Sequence, residues 1–348
     1  MLIQQNSQGM YLNYSSSITR PKLIKIANNL TIAVFELMKL LPAKYTILKA
    51  LHEKKLDPNY PIIETSSGTY ALGMGIVCAE LGIPFIIISD PIIDANLTNR
   101  LQALGGKVQI VKSSVDSLDV QTLRLAELDN YLRNMPEAFW PAQYDNPDNR
   151  HAYYDFAELL LNRVGNNFTL VGAVGSGGST CGAIERLRQD NNDIKLIGVD
   201  TFGSALFGLP KKARKLRGLG NSLLPKNVVH NYFDMVHWVS ADCAYNSVRN
   251  LHSATGLFRG PTTGAAFHVA SWYAANNKNE EVVFISADPG ARYIDTVYND
   301  AWLKKNDIDL TTNFSNPTEI NKLSEIVEPW SYFNWQRKTY NEVVTDYA

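Results

Sequence analysis

The stretch from Thr169 to Leu187 limits the possible fold of this chain most strongly. It begins with the apolar run Leu170–Val174, turns through Gly175-Ser176-Gly177-Gly178-Ser179, and continues with helical spacing from Cys181. A strand that enters a helix through a glycine turn leaves backbone N–H groups uncovered at the helix N-terminus. Such a turn binds anions, usually phosphate, because glycine lets the backbone approach the oxygens and serine adds hydroxyl donors. The alternative is a glycine-rich connection that binds nothing.

The same order of strand, polar turn and helix recurs along the chain. Polar turns around Ser67, Gly177 and Thr262 each follow a predicted strand and open a predicted helix. Alternating strands and helices are typical of parallel sheets built from βαβ units, whose ligands bind outside the carboxyl ends of the strands. The sequence therefore predicts an α/β protein in which these turns line the binding edges of the sheets.

The composition argues against several classes of function. The 348 residues include 33 basic and 34 acidic side chains, a balance that indicates neither nucleic acid nor a membrane as partner. No apolar run has the length of a transmembrane helix, and the N-terminal residues lack the pattern of a secretory signal. Cys78, Cys181 and Cys243 are far apart, which is typical of a reducing compartment, and no spacing of histidines or cysteines predicts a metal site. We therefore expect a cytoplasmic protein that acts on small molecules without a metal.

Five short motifs follow one another in a fixed order. They are Glu64-Thr65-Ser66-Ser67-Gly68-Thr69, Gln143 to Asn149, Gly175-Ser176-Gly177-Gly178-Ser179, Gly260-Pro261-Thr262-Thr263-Gly264-Ala265-Ala266 and Asp288-Pro289-Gly290-Ala291-Arg292-Tyr293. Together they resemble the cysteine synthase family, the pyridoxal-phosphate enzymes of the tryptophan synthase β superfamily. The family's segments read TSGNTG, Q-x-x-NP-x-N, GTGGT, G-x-SSGAA and D-S-G-x-R-Y. The resemblance in order and spacing covers residues 18–300.

This resemblance implies fold type II of the pyridoxal-phosphate enzymes: an α/β fold with two three-layer αβα domains and mostly parallel sheets. Residues 18–44 and 146–302 would form a large domain that binds the cofactor phosphate. Residues 45–145 would form a small domain with the substrate loop, and 303–348 a C-terminal extension. We expect a homodimer, as is usual in the family. The aromatic residues of the extension favour packing or a dimer contact over a catalytic lid; they are Trp330, Tyr332, Phe333 and Trp335.

The resemblance also implies a lysine whose amine bonds to the aldehyde of pyridoxal 5'-phosphate and moves the substrate's α-proton. We assign this role to Lys44, because it lies at a predicted junction between loop and helix, with Lys39 and Lys49 as competitors. A solvated surface lysine is the general alternative. The segment Pro42–Thr46 lacks the Asp-Arg pair that follows the family's lysine.

The remaining cofactor contacts are carried over motif by motif. The phosphate would bind to Gly175, Ser176, Gly177, Gly178 and Ser179. Thr262 would face the pyridine nitrogen, or serve only as a helix cap. Thr69 stands where the family has the Asn that faces the 3' oxygen, and it could instead satisfy its own turn.

The substrate contacts are predicted from hydroxyl, amide and glycine residues of the same motifs and their neighbours. They are Ser66, Ser67, Gly68, Gln143, Tyr153 and Gly218. If the leaving group is phosphate, a cation should receive it, and the candidates are Arg150, Arg214 and Arg217. A simple polar turn at Ser66–Gly68 and solvated surface arginines are the alternatives.

Further blocks, among them Trp140–Tyr144 and Gly203–Gly208, are similar to synthases that join O-phosphoserine to glutamate. The implied reaction is β-replacement on an activated L-serine, either O-phosphoserine or O-acetylserine, through an aminoacrylate. L-Glutamate as nucleophile would give N-(2-amino-2-carboxyethyl)-L-glutamate, on the route to 2,3-diaminopropionate in siderophore or antibiotic biosynthesis. A cysteine synthase that uses sulfide is one alternative. A catalytically inactive binding or regulatory protein is another, suggested by the missing Asp-Arg pair and by Thr69.

Overall fold

The computed structural model describes residues 3–112, 120–310 and 314–344. Within these ranges the α-helices are, in chain order, α1 (Tyr14–Ser17), α2 (Leu40–His52), α3 (Thr69–Leu81), α4 (Ala95–Ala103), α5 (Val120–Asn134), α6 (Asp148–His151), α7 (Tyr154–Val164), α8 (Gly178–Leu187), α9 (Ala241–Thr255), α10 (Pro261–Asn276), α11 (Asp300–Lys305) and α12 (Tyr340–Val344). The strands are β1 (Lys22–Ala27), β2 (Leu30–Val34), β3 (Ile62–Thr65), β4 (Phe85–Ser89), β5 (Lys107–Ile110), β6 (Thr169–Ala173), β7 (Lys195–Asp200), β8 (Met235–Val239), β9 (Val282–Ser286), β10 (Thr318–Ile320) and β11 (Trp330–Phe333). The predicted α/β fold with mostly parallel sheets is confirmed.

The chain divides into two compact units. Unit 1 consists of Met1–Arg20 and Leu37–Ala152, and unit 2 of Pro21–Glu36 and Tyr153–Ala348. The chain returns from unit 2 to unit 1 at Leu37, before α2, because Leu40, Ala43 and Ile47 of α2 are buried in the core of unit 1. Near the C-terminus, β11 pairs with β8 and so takes part in the sheet of unit 2.

Unit 1 contains a parallel sheet of β3, β4 and β5, in that order. Alternate residues of its apolar strands pack on opposite faces. Ile62 and Ile87 join the core formed with α2, α3 and α4, whereas Ile63, Ile86 and Ile88 pack against α5. Helices on both faces explain why β3 and β4 are almost continuously apolar. At its carboxyl end, β3 leads directly into the polar turn that opens α3.

Unit 2 contains a sheet with the strand order β1-β2-β9-β6-β7-β8-β11-β10. The central strands β2, β9, β6, β7 and β8 are parallel, and antiparallel β1 and β11 flank them. Because β6, β7 and β9 run in one direction, their carboxyl ends share one edge of the sheet. The glycine turn after β6 therefore lies at the edge where a ligand of this kind of sheet binds.

The aromatic residues near the C-terminus are packed inside unit 2. Trp330 is buried in β11, and the ring of Trp335, which has no exposed surface, lies 5.2 Å from that of Phe207. Sequence analysis predicted no strand here because WSYF is short and shows no alternation of polar and apolar residues. Its pairing with β8 is a long-range contact.

The packing of α9 on α10 makes Gly264 a sensitive position. A Cβ atom at Gly264 would overlap the carbonyl oxygen of Ala244 and press on Val248. Gly264→Ala should therefore lower the free energy of unfolding by about 2–3 kcal/mol, measured by urea denaturation. Ser271→Ala in the same helix is the control, because the buried hydroxyl of Ser271 has no hydrogen-bond partner. Its removal should leave stability unchanged or slightly higher. Equal stability of Gly264→Ala and the wild type would contradict this account.

Candidate functional site

The turn Ser66-Ser67-Gly68 joins β3 to α3 in unit 1. The Ser66 hydroxyl accepts hydrogen bonds from the backbone N–H groups of Gly68 and Ala71, both at 3.2 Å. Ser66 is buried, whereas Ser67, Gly68 and Thr69 are partly exposed. The first turn of α3 contains no acidic residue, and no side chain caps it. Ser66 therefore shapes the turn, and its neighbours face outward at a helix N-terminus that suits an anion.

Gln143 is held beside this turn. Its side-chain Nε2 donates to the Thr65 carbonyl at 2.8 Å, and its backbone N–H donates to the Glu64 carboxylate at 3.0 Å. The Asn149 side chain donates to the carbonyl of Gln143. The structure thus brings together Gln143 and the Ser66–Gly68 turn.

Glu64 links the parts of this cluster, a role that sequence analysis did not assign. Its buried carboxylate also accepts the backbone N–H of Thr65 at 2.7 Å and the indole N–H of Trp140 at 3.1 Å. These N–H donors favour the ionised form, but burial outweighs them and raises the pKa of Glu64 to about 7. A charged residue within the apolar run Ile62–Thr65 was the available signal, because a buried carboxylate requires partners.

Arg124 of α5 is a second residue that sequence analysis missed. Its NH1 lies 2.9 Å from the Asp90 carboxylate and donates to the Ser67 hydroxyl at 3.3 Å. Both charged side chains are about 95% buried, at 5% and 4% exposure. The Nε of Arg124 is buried and has no hydrogen-bond partner among the described residues. Since Arg124 lies in a mostly polar helix, nothing in its local sequence distinguishes it from a surface arginine.

Lys44 lies inside α2, away from the turn Ser66-Ser67-Gly68. Its buried amine donates to the Ser16 hydroxyl at 2.7 Å and to the Asn13 side chain at 3.3 Å. Burial lowers the pKa of Lys44 to about 8, against the opposing attraction of Glu80. Glu80, which accepts hydrogen bonds from Ser15, is near the C-terminal end of α3. Because an α-helix rises 1.5 Å per residue, Glu80 lies about 16 Å along α3 from Thr69.

Lys39 lies at the other end of the same helix pair. It is the N-cap of α2, and its carbonyl oxygen would lie 3.0 Å from a Cβ atom at Gly73, one turn into α3. Burial lowers the pKa of the Lys39 amine to about 8. The predicted junction between loop and helix was placed five residues too late, because α2 already begins at Leu40. Pro42, the third residue of α2, is compatible with this start because proline is tolerated in the first turn of a helix.

The glycine turn of unit 2 connects β6 to α8. Gly177 has φ +83°, and a Cβ atom there would overlap the Asn227 carbonyl. Ser176 and Ser179 are buried beside it. The first turn of α8 has no acidic residue and no side-chain cap. The turn therefore has the glycine geometry and the uncapped helix N-terminus of an anion site.

Gly218 and Thr262 lie next to this turn. A Cβ atom at Gly175 would be 3.5 Å from the Gly218 carbonyl oxygen, and one at Gly218 would be 2.8 Å from Cγ2 of Thr262. The Thr262 hydroxyl is buried and has no hydrogen-bond partner in the described protein. Unit 2 thus brings Gly175, Gly218 and Thr262 together around an unsatisfied hydroxyl.

Other predicted substrate contacts are placed differently. Tyr153 has no exposed surface, and burial raises the pKa of its phenol, which stays neutral. Arg214 donates to the Gly203 carbonyl at 3.3 Å and to the Ser222 hydroxyl at 3.2 Å. Arg217 is exposed. Within the described ranges no His, Cys, Asp and Glu side chains are grouped as metal ligands would be, and no helix is long and apolar enough to cross a membrane.

Residues 38–288 match the family described as pyridoxal-phosphate dependent enzyme. The N-(2-amino-2-carboxyethyl)-L-glutamate synthase of Cupriavidus metallidurans is 31% identical over 270 residues, covering 76% of this chain and 79% of that protein. The protein of the same name from Ralstonia nicotianae is 30% identical over 269 residues, with coverage of 76% and 79%. The O-acetylserine dependent cystathionine beta-synthase of Helicobacter pylori has a similar structure, with a TM-score of 0.77, 23% identity and coverage of 82% and 98%. This last likeness shows the fold alone.

The two hydrogen bonds accepted by Ser66 predict a loss of stability when its hydroxyl is removed. Ser66→Ala would leave the N–H groups of Gly68 and Ala71 without their acceptor, at a cost of about 1–3 kcal/mol in free energy of unfolding. Ser66→Thr keeps the hydroxyl and should lose clearly less. Urea denaturation of both variants measures the difference, and equal losses would show that the hydroxyl does not hold the turn.

Proposed function

Because the chain belongs to the family of pyridoxal-phosphate dependent enzymes, we propose that it replaces the β-substituent of an activated L-serine with an amine nucleophile. Two relatives named N-(2-amino-2-carboxyethyl)-L-glutamate synthase support L-glutamate as that nucleophile. The product would then be N-(2-amino-2-carboxyethyl)-L-glutamate, a precursor of 2,3-diaminopropionate. The proposal rests on one observation above all: a buried arginine, Arg124, whose Nε has no partner among the described residues, beside the turn that we assign to the substrate.

The residues of unit 2 fit the cofactor. The glycine turn with Ser176 and Ser179 matches the needs of a phosphate, and the unpartnered hydroxyl of Thr262 matches a ring nitrogen. When bound, pyridoxal phosphate supplies a ring that withdraws electrons from the substrate's α-carbon. Backbone N–H groups at the start of α8 would hold the phosphate, together with the two serines. Thr262 is neutral and would therefore not hold the ring nitrogen protonated, and Thr69 is our candidate for the 3' oxygen.

Lys39 is our candidate for the amine that carries the cofactor, in place of Lys44. Lys39 is at the N-terminus of α2, and its backbone contacts α3 near the substrate turn. A pKa of about 8 leaves a useful fraction of the amine neutral near physiological pH, so it can bond to an aldehyde and later move a proton. Lys44, in contrast, is hydrogen-bonded to Ser16 and Asn13 at the opposite end of α3.

The substrate's α-carboxylate has a suitable set of donors in unit 1. Ser67, Gly68 and Thr69 are partly exposed at the N-terminus of α3, where helix dipole and backbone N–H groups favour an anion. Gln143 is fixed beside them by its bonds to Thr65 and Glu64. We assign the α-carboxylate to Ser67, Gly68 and Gln143, with Ser66 as the residue that shapes their turn.

Arg124 favours a substrate that has a second anion. Its guanidinium is buried beside Ser67, and within the described part of the chain its Nε has no partner, although NH1 is paired with Asp90. A phosphate or carboxylate can accept two parallel hydrogen bonds from a guanidinium, whereas an acetyl ester has no charge to offer. We therefore propose O-phosphoserine over O-acetylserine as the first substrate.

The choice between the two lysines can be tested by trapping the bound cofactor with borohydride and locating it by peptide mass spectrometry. We expect the label on Lys39. Lys39→Ala should lose covalent attachment, and activity should fall by at least about 10²-fold because a general acid–base group is removed. Lys44→Ala is the matched control and should still be labelled. A label on Lys44 in the wild type would restore the prediction made from the sequence.

The substrate proposal can be tested with a panel of two serine esters and two nucleophiles. We expect turnover of O-phosphoserine with glutamate, and little with O-acetylserine or sulfide. Arg124→Ala should lower kcat/KM for O-phosphoserine by about 10–100-fold, the loss of one charge-assisted contact, and Arg124→Lys by less. Arg133→Ala, in the same helix but exposed, serves as control. Turnover of O-acetylserine with sulfide alone would indicate a cysteine synthase, and a wild type that binds the cofactor without any turnover would indicate an inactive protein.

A further inference from the structure

Residues 211–217 of unit 2, here called the basic segment, lie in a part of the chain that has no acidic residue. Residues 201–233 contain six lysine or arginine side chains and no Asp or Glu, although the formal net charge of the whole chain is −1. A local excess of positive charge attracts anions from solution and raises their concentration at that surface. The basic segment therefore suits an anionic ligand that approaches from the solvent.

Two cations of the basic segment fix it to the body of unit 2. The Arg214 guanidinium donates to the Gly203 carbonyl at 3.3 Å and to the Ser222 hydroxyl at 3.2 Å. The Lys215 amine donates to two backbone carbonyl oxygens at the C-terminal end of α11, at 2.8 and 3.1 Å. Because these side chains bond to the protein itself, we assign a structural role to Arg214 and Lys215.

Arg217 and Gly218, in contrast, are exposed between two buried leucines. Leu216 and Leu219 each have only 1% of their surface exposed and belong to the core of unit 2. A short stretch that is buried on both sides has little freedom to move. Arg217 is therefore presented to the solvent from a fixed backbone, as a preorganised binding group requires.

This exposed pair lies beside the residues that we assign to the cofactor. A Cβ atom at Gly218 would be 2.8 Å from Cγ2 of Thr262, in the first turn of α10. Tyr245, in the N-terminal part of α9, donates its hydroxyl to the Lys215 carbonyl at 3.0 Å. Burial raises the pKa of this phenol to about 12, and the positive charge of Arg217 opposes the rise. Arg217 thus lies near the beginning of α9 and α10, at the sheet edge that carries the glycine turn.

We propose that Arg217 binds the side-chain carboxylate of the amine nucleophile. This inference rests on the proposed function, in which the nucleophile is L-glutamate. Its amine must reach the cofactor beside the buried Thr262, so the opposite end of the molecule stays near the surface, where Arg217 is exposed. A guanidinium can donate two parallel hydrogen bonds to a carboxylate. Sulfide has no carboxylate and the side chain of glutamine is neutral, so Arg217 favours glutamate over both.

Steady-state kinetics of the holoenzyme tests the role of Arg217. Arg217→Gln should raise the KM for glutamate about 10-fold, the loss of one charge-assisted contact, and leave kcat and the KM for O-phosphoserine within about twofold. Arg217→Lys keeps the charge and should lose less. Arg163→Gln is the matched control, because Arg163 is exposed in the last turn of α7, before β6, and so lies at the opposite edge of the sheet. An unchanged glutamate KM in Arg217→Gln would overturn the assignment and leave the proposed reaction intact.

Chemical protection provides a measurement that does not depend on turnover. Glutamate should slow the modification of Arg217 by phenylglyoxal several-fold, located by peptide mass spectrometry, and it should not protect Arg163. Glutamine and inorganic phosphate at the same concentration should protect Arg217 clearly less. No protection by glutamate, or equal protection by glutamine or phosphate, would overturn the proposal. Protection by glutamate in an enzyme that does not consume it would support the site and contradict the proposed reaction.

Discussion

The close approach of α2 and α3 decides what each buried group of unit 1 can do. Gly73 has no side chain, so the backbone of α3 can lie against Lys39 and Leu40, where a Cβ atom would come within 2.8–3.0 Å. This contact sets the register of the two helices. It places Lys39 near the polar turn that opens α3 and leaves Lys44 near Glu80 at the far end. Two lysines with similarly lowered pKa values therefore have different surroundings because of their positions along one helix.

Burying charge around the turn Ser66-Ser67-Gly68 brings little stability, which points to a functional reason for it. A buried ion pair such as Arg124–Asp90 roughly balances its desolvation cost, and apolar residues of similar volume would often stabilise a fold as well. Glu64 likewise remains buried although its pKa is raised to about 7. Both groups hold the donors Ser67 and Gln143 in place. Their cost is consistent with a turn that must be preorganised for an anionic substrate.

The parts of the fold and the site that depend on local sequence were predictable. The glycine turn before α8, the turn before α3 and the parallel strands that precede them follow from apolar runs and breaker residues within short windows. Arg124, in contrast, reaches Ser67 from a helix 57 positions away, and β11 pairs with a strand about 90 residues earlier. Such contacts depend on the tertiary fold, which no local pattern contains.

The choice between Lys44 and our proposed Lys39 as the reactive amine depends on where α2 begins. The sequence analysis placed the junction between loop and helix at Lys44. Proline at the third position of α2 removes an N–H that has no partner within the helix in any case, so the helix can begin at Leu40. Moving the helix start back by five residues brings Lys39 to the junction, where the argument from sequence had required the reactive amine. The chemical reasoning thus remains the same, and only the residue to which it applies changes.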